Sequence, residues 1–121
     1  MRKVMRPAIC AFLWIATSSG ASNPQSGLLI QGPGTETCAE VTALYRQDPK
    51  QAKTLFFGWA QGFLSGANLA GSLPMADVRA MTIENQEAYL RRYCDMHPQS
   101  HYVEGVMALY TALPKRPRIN Q

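Results

Sequence analysis

The sequence predicts an all-α domain: a small bundle of about four helices, stapled by one disulfide and preceded by a signal peptide. Three observations lead there. Apolar residues recur at three- and four-residue spacing through most of the chain, while strand-type alternation is absent. A helix-opening signal stands before each apolar run. Two cysteines, Cys38 and Cys94, bracket the largely uncharged second helix of a chain that begins like an export leader.

The leader comes first. Arg2, Lys3 and Arg6 precede the apolar run Pro7 to Ala16, which is too short to span a bilayer. Thr17 to Ala21 follows with small residues, and Ser19 and Ala21 are placed as a cleavage site. Cys10 lacks the small residues before it that lipid attachment requires. Removing residues 1–21 leaves 100 of the 121 residues, enough for one domain with one modest core. The expected localisation is periplasmic or secreted.

Cleavage also changes the electrostatics. It takes three of the twelve basic residues and none of the eight acidic ones, so the net charge falls from +4 to +1. The basic balance of the whole chain belongs to targeting, and no nucleic-acid partner is expected. Of three cysteines two remain, Cys38 and Cys94, an even pair in an oxidising compartment. Their bridge would close 55 intervening residues. On the chain-entropy account it contributes about 4 kcal/mol. With no Cys-x-x-Cys in the chain, it reads as structural rather than redox-active.

Residues 22–35 are rich in turn formers and read as a flexible N-terminal segment, with Leu28 to Ile30 available to dock on the core. The helical domain is expected over 36–114. Thr37-Cys-Ala-Glu40 matches a capping box, and a first helix to about Arg46 would turn Cys38, Val41, Leu44 and Tyr45 inward. Asp48 can cap a second helix with Pro49 at its first position. That helix runs to near Leu69 and ends around Gly71 to Pro74, with Ser72 to Ala80 as connector. Thr82 caps a third helix, Ile83 to Asp95, with Ile83, Leu90, Tyr93 and Cys94 on one side. Pro98 opens a fourth, in which Tyr102, Val106, Leu109, Tyr110 and Leu113 recur at helical spacing. Residues 115–121, with Lys115, Arg116 and Arg118 around Pro117, read as a basic disordered tail.

The second helix is the most unusual segment. Thr54 to Ala76 carries no charge, and Gly58, Gly62 and Gly66 fall at strict four-residue spacing. Three helical glycines cost about 3 kcal/mol relative to alanine, so an offset is required. Either another backbone packs closely there or the segment lies in a membrane. Gln61, Asn68 and the glycines suit a lipid-facing span poorly, and close packing is the reading adopted. Gly58, Gly62 and Gly66 with Trp59 are then the close-packing residues of a central helix, and Gly62→Leu is expected to destabilise by overpacking. Gln61, Ser65 and Asn68 form a narrow polar stripe, the candidate partner contact.

Other constellations carry less chemistry. Gly62-Phe-Leu-Ser-Gly66 places its serine one position too late for a nucleophile elbow, and no strand precedes it. Cys94, His97 and His101 have zinc-like spacing, but a bridged Cys94 offers no thiolate, and Pro98 pushes His97 out of helical geometry. His97 reads as a cap or turn residue and His101 as a first-turn surface residue. Glu84, Glu87, Asp95 and Glu104 read as a solvated face. No cofactor motif is present, so neither catalytic residue, metal nor cofactor is expected.

Cys38, the helix Phe57-Gly-Trp-Ala-Gln-Gly-Phe-Leu-Ser-Gly-Ala-Asn68, and Tyr89-Leu-Arg-Arg-Tyr-Cys-Asp-Met-His-Pro98 before an apolar helix together carry a resemblance. Over about residues 36–114 the chain resembles small exported bacterial helical proteins. These are related to the acid-stress chaperones of the HdeA type and to the Tai-type immunity proteins that neutralise type VI secretion amidase toxins. The resemblance implies a disulfide-stabilised periplasmic domain that acts on another protein, or on a second copy of itself, rather than by catalysis. The chain departs from both groups, with no charged flanking arms and a single mature cysteine pair. The rival expectations are a membrane-associated structural protein using residues 55–73, and a small hydrolase.

Overall fold

A computed structural model describes residues 29–71 and 74–117. The expected leader at 1–21, Leu28 and Arg118 lie outside the described residues. Among the described residues the architecture is four helices and one disulfide. We number them α1 (Cys38–Gln47), α2, α3 (Ile83–Met96) and α4 (Tyr102–Ala112). Helix α2 covers residues 49–70 in three successive segments: Pro49–Ala52, a π-helical turn Lys53–Phe57, and Gly58–Ala70. A 3₁₀ turn, Gly32–Thr35, precedes α1, and two short strands, β1 (Met75–Ala76) and β2 (Lys115–Arg116), pair antiparallel.

Helix α1 begins where the capping box places it. The Thr37 hydroxyl accepts from the Glu40 amide at 3.3 Å, and the Glu40 carboxylate accepts from the Thr37 amide at 2.8 Å. The first-turn amides of Cys38 and Ala39 donate to Ser100 and Pro98 carbonyls at 2.8 and 3.0 Å. Those two contacts explain a correction. The fourth helix starts at Tyr102 and not at Pro98, because Pro98–Ser100 turns its carbonyls outward to close the exposed N-terminus of α1. Asp48 caps α2 by accepting from Gln51, Thr82 caps α3 by accepting from Asn85, and α2 stops at Gly71, whose φ of +80° is the left-handed cap position.

Helices α1 and α3 run antiparallel and are joined by Cys38–Cys94, with Cα atoms 4.6 Å apart. The core is continuous. It takes Val41 and Tyr45 from α1; Ala52, Phe56, Phe57, Ala60 and Leu64 from α2; Leu90 from α3; and Tyr102, Val106, Leu109, Tyr110 and Leu113 from the α4 region. In the π-turn the i→i+5 bonding widens the helix, and two consecutive phenylalanines, Phe56 and Phe57, both reach the core. Phe56 meets Tyr102 edge-on with ring centroids 5.4 Å apart. Ile83, expected on the inward side of the third helix, is half exposed at its N-terminal end.

Both ends of the described chain are more ordered than the sequence implies. Residues 32–35 form the 3₁₀ turn that packs beneath Trp59, although Leu29 is fully exposed and does not dock. The Lys115 ammonium donates to the carbonyls of Tyr110, Thr111 and Leu113 at the end of α4, where a cation also complements the helix dipole. Arg116 binds Asp77 at 2.6 Å. Lys115 and Arg116 therefore belong to the fold as β2, not to a disordered tail.

Candidate functional site

The outward face of α2 differs from the expectation of close packing. At Gly58, Gly62 and Gly66, a Cβ would meet no atom within 4 Å. All three are exposed, together with Gln61, Ser65, Leu55 (44 % exposed) and Leu69 (86 % exposed). The helix is therefore not central: Ala52, Phe56, Ala60 and Leu64 make a line at four-residue spacing that, together with Phe57, faces the core. The glycine ridge lies about the other side of the cylinder. Of the four residues expected to pack closely, only Trp59 does so, and its partner is elsewhere. Its ring stacks on Phe63 at 5.4 Å and covers Gly34, where a Cβ would sit 2.2 Å from the indole. Gly105 is the second close approach, with a Cβ 2.7 Å from the Tyr93 ring. Neither was legible from glycine spacing, because each is a lone glycine facing one aromatic ring.

The polar stripe divides. Gln61 and Ser65 are exposed, and Ser65 donates to the Gln61 carbonyl at 2.8 Å within the helix. Asn68 is used by the fold. Its amide donates to the Ala76 carbonyl at 2.9 Å and its oxygen accepts from the Ala76 amide at 2.8 Å, so the side chain stands as a third strand beside β1. Asn68 is thus withdrawn from partner contact. What remains is a face of Leu55, Gly58, Gln61, Gly62, Ser65, Gly66 and Leu69 with neither charge nor protruding bulk at its centre.

The other candidates resolve individually. His97 closes α3, stacked on Tyr93 at 4.3 Å, with its Nδ1 2.9 Å from the Tyr93 carbonyl. His101 stands just before α4, half buried, its Nδ1 2.8 Å from the Thr35 carbonyl, and its backbone bridges to Thr37. Among the described residues, no three His, Cys, Asp or Glu side chains gather as a metal site, and no helix is long and apolar enough to cross a membrane. Glu87 is not part of a solvated face. It accepts from Tyr45 at 3.1 Å and pairs with Lys53 at 2.9 Å, linking α1, α2 and α3. Burial, and then the Glu87 charge, hold the Tyr45 phenol well above its ordinary range. Gln86 is buried, a role that no local sequence signal marks; it donates to the Val78 and Met81 carbonyls and fixes the connector.

A notch of about 140 Å³ lies between α1 and α3 beside the disulfide. Val41, Tyr45 and Cys94 make its floor, and Thr42, Arg46, Arg91 and Asp95 its rim. The Arg91 guanidinium lies 4.7 Å from the centroid of the Tyr45 ring, and Thr42 donates to Asp95 at 3.3 Å.

No protein-family model, curated protein or solved structure matches this chain. Functional assignment rests on its own geometry, and the disulfide fits a chain matured in an oxidising compartment.

Proposed function

We propose that this chain is an exported, periplasmic, non-catalytic domain that binds another protein through the uncharged outer face of α2. The observation that supports the reading is the open ridge of Gly58, Gly62 and Gly66 between exposed Leu55 and Leu69. The glycines weaken the helix by about 1 kcal/mol each, and none of the described residues uses the space they leave. A partner helix or loop could approach the α2 backbone there more closely than any ordinary helix surface allows.

The face is already open in the folded, bridged domain. That favours a fixed surface of the immunity type over a chaperone that must open to expose its apolar faces. The partner is a protein whose own surface is apolar and uncharged where it meets the ridge, since α2 carries its charges, Lys50 and Lys53, before the ridge and none from Thr54 to Ala70.

The test compares the mature domain with its Gly62→Leu variant as immobilised baits in periplasmic extract. The expected result is a protein retained by the wild type and lost by Gly62→Leu, while thermal unfolding of the two baits coincides within about 1 kcal/mol. Equal retention by both baits would remove the α2 face from the function.

A further inference from the structure

We infer that the notch between α1 and α3 is a binding site for a single carboxylate, gripped between Arg46 and Arg91. This site is separate from the α2 face and does not depend on it. Arg91 and Asp95 stand four residues apart on α3, a spacing at which opposite charges ordinarily pair across one helical turn. Here they are held apart. Arg91 is drawn over the Tyr45 ring and Asp95 is engaged by the Thr42 hydroxyl, so guanidinium and carboxylate flank an opening instead of closing it. Neither Arg91 nor Arg46 is ion-paired among the described residues, where the salt bridges are Lys53–Glu87 and Arg116–Asp77.

The chemistry of the rim specifies the ligand. Two guanidiniums present forked donors that match the two oxygens of a carboxylate. The floor of Val41, Tyr45 and Cys94 is almost wholly buried and the Arg91 guanidinium lies over the Tyr45 ring, so the ligand is held at the rim by its carboxylate. Asp95 on the same rim repels a second negative charge, which disfavours dicarboxylates and phosphate. The volume suits a group of a few heavy atoms, such as a free short-chain monocarboxylate or the end of a glutamate side chain.

The experiment is a titration of the isotope-labelled mature domain at neutral pH and fixed ionic strength, followed by amide and arginine side-chain NMR. The probes are propionate, a glutamate blocked at both ends, and sodium chloride. Saturable shifts confined to Thr42, Arg46, Arg91 and Asp95 are expected with the carboxylates and not with chloride. Response to propionate alone assigns a free small molecule; response to both assigns an acidic side chain as well. Arg91→Gln and Arg46→Gln should each abolish saturation, and both positions are exposed, so folding is retained. Asp95→Asn keeps both arginines and should tighten binding several-fold. Shifts that spread over all basic residues, match those of chloride, or persist unchanged in Arg91→Gln would overturn the site. So would an Asp95→Asn variant that binds more weakly.

Discussion

A Cβ built on Gly34 would lie 2.2 Å from Cη2 of Trp59, inside any permitted carbon–carbon contact. This one relationship moves the close packing of the domain from the glycine-rich helix to the turn before α1. Gly34 is buried and its neighbour is a rigid indole, itself held by Phe63 and Tyr102, so the ring has little room to retreat. Gly34→Ala is expected to destabilise the helical domain by about 1–3 kcal/mol through overpacking. Urea unfolding of the variant measures it, and an unchanged midpoint would mean the turn does not pack as described.

The opposite sign is expected at Gly62. The position is helical, exposed and open, so Gly62→Ala removes only the conformational penalty of glycine. A gain of up to about 1 kcal/mol should follow, raising the melting temperature by about 4–8 °C for a domain of this size. Calorimetry of Gly62→Ala beside Gly34→Ala gives a direct contrast, and destabilisation at Gly62 would restore a packed ridge.

Asn68 offers a third contrast, within one polar stripe. Its amide satisfies both backbone groups of Ala76, whose side chain is buried. Asn68→Ala strands the Ala76 amide, while the Ala76 carbonyl keeps the bond from the Val78 amide, and should lower stability by about 1–3 kcal/mol. Ser65→Ala, which breaks only a local hydroxyl bond to Gln61, should be nearly silent. Hydrogen exchange at the Ala76 amide is the specific readout: it should quicken in Asn68→Ala and stay slow in Ser65→Ala.

These cases show what the sequence makes legible. Local signals sufficed where one residue acts on its own backbone: the Thr37–Glu40 box, Asp48-Pro49, Thr82 and the left-handed Gly71 all stand where their chemistry requires. The periodic burial of Tyr102, Val106, Leu109, Tyr110 and Leu113 followed equally well. Spacing failed where meaning depends on what lies opposite. Gly58, Gly62 and Gly66 have the pattern of a packed ridge, but the phase of α2 is set by Ala52, Phe56, Ala60 and Leu64 and by the π-turn, which turn the ridge outward. Lys115 looked like tail charge because its acceptors are carbonyls at the end of α4, and carbonyls leave no mark in a sequence. Of the expected polar stripe, Gln61 and Ser65 are exposed and Asn68 is engaged by the fold, whereas the Arg46–Arg91 rim required the antiparallel pairing of α1 and α3 to come together.

The Cys38–Cys94 bridge joins the first turn of α1 to the last turns of α3 across 56 positions of sequence. Both side chains are fully buried, so alanine at each leaves a small apolar volume and no unsatisfied polar group. Cys38→Ala/Cys94→Ala is expected to lose about 4 kcal/mol, chiefly by enlarging the unfolded ensemble. Denaturant titration of the double variant against the oxidised wild type tests this, and a loss below about 1 kcal/mol would deny the bridge its role.

Acid sensitivity should be traceable in part to Glu40. Hydrogen bonds from the Thr37 hydroxyl at 2.7 Å and then from the Thr37 amide hold its carboxyl below the ordinary carboxylate range. Asp77 is lowered in the same direction, first by the hydrogen bond from Arg116. A carboxyl whose folded value is depressed binds its proton more readily in the unfolded chain. Its stabilisation is therefore fully present above the unfolded value, and is lost as pH falls through the folded one. Glu40→Gln retains an acceptor for the capping box but does not titrate. Unfolding free energies measured from about pH 6 down to about pH 2 should thus fall less steeply for Glu40→Gln than for the wild type, the curves converging at the acid end. Parallel curves throughout would show that the Thr37–Glu40 pair makes no proton-linked contribution to the fold.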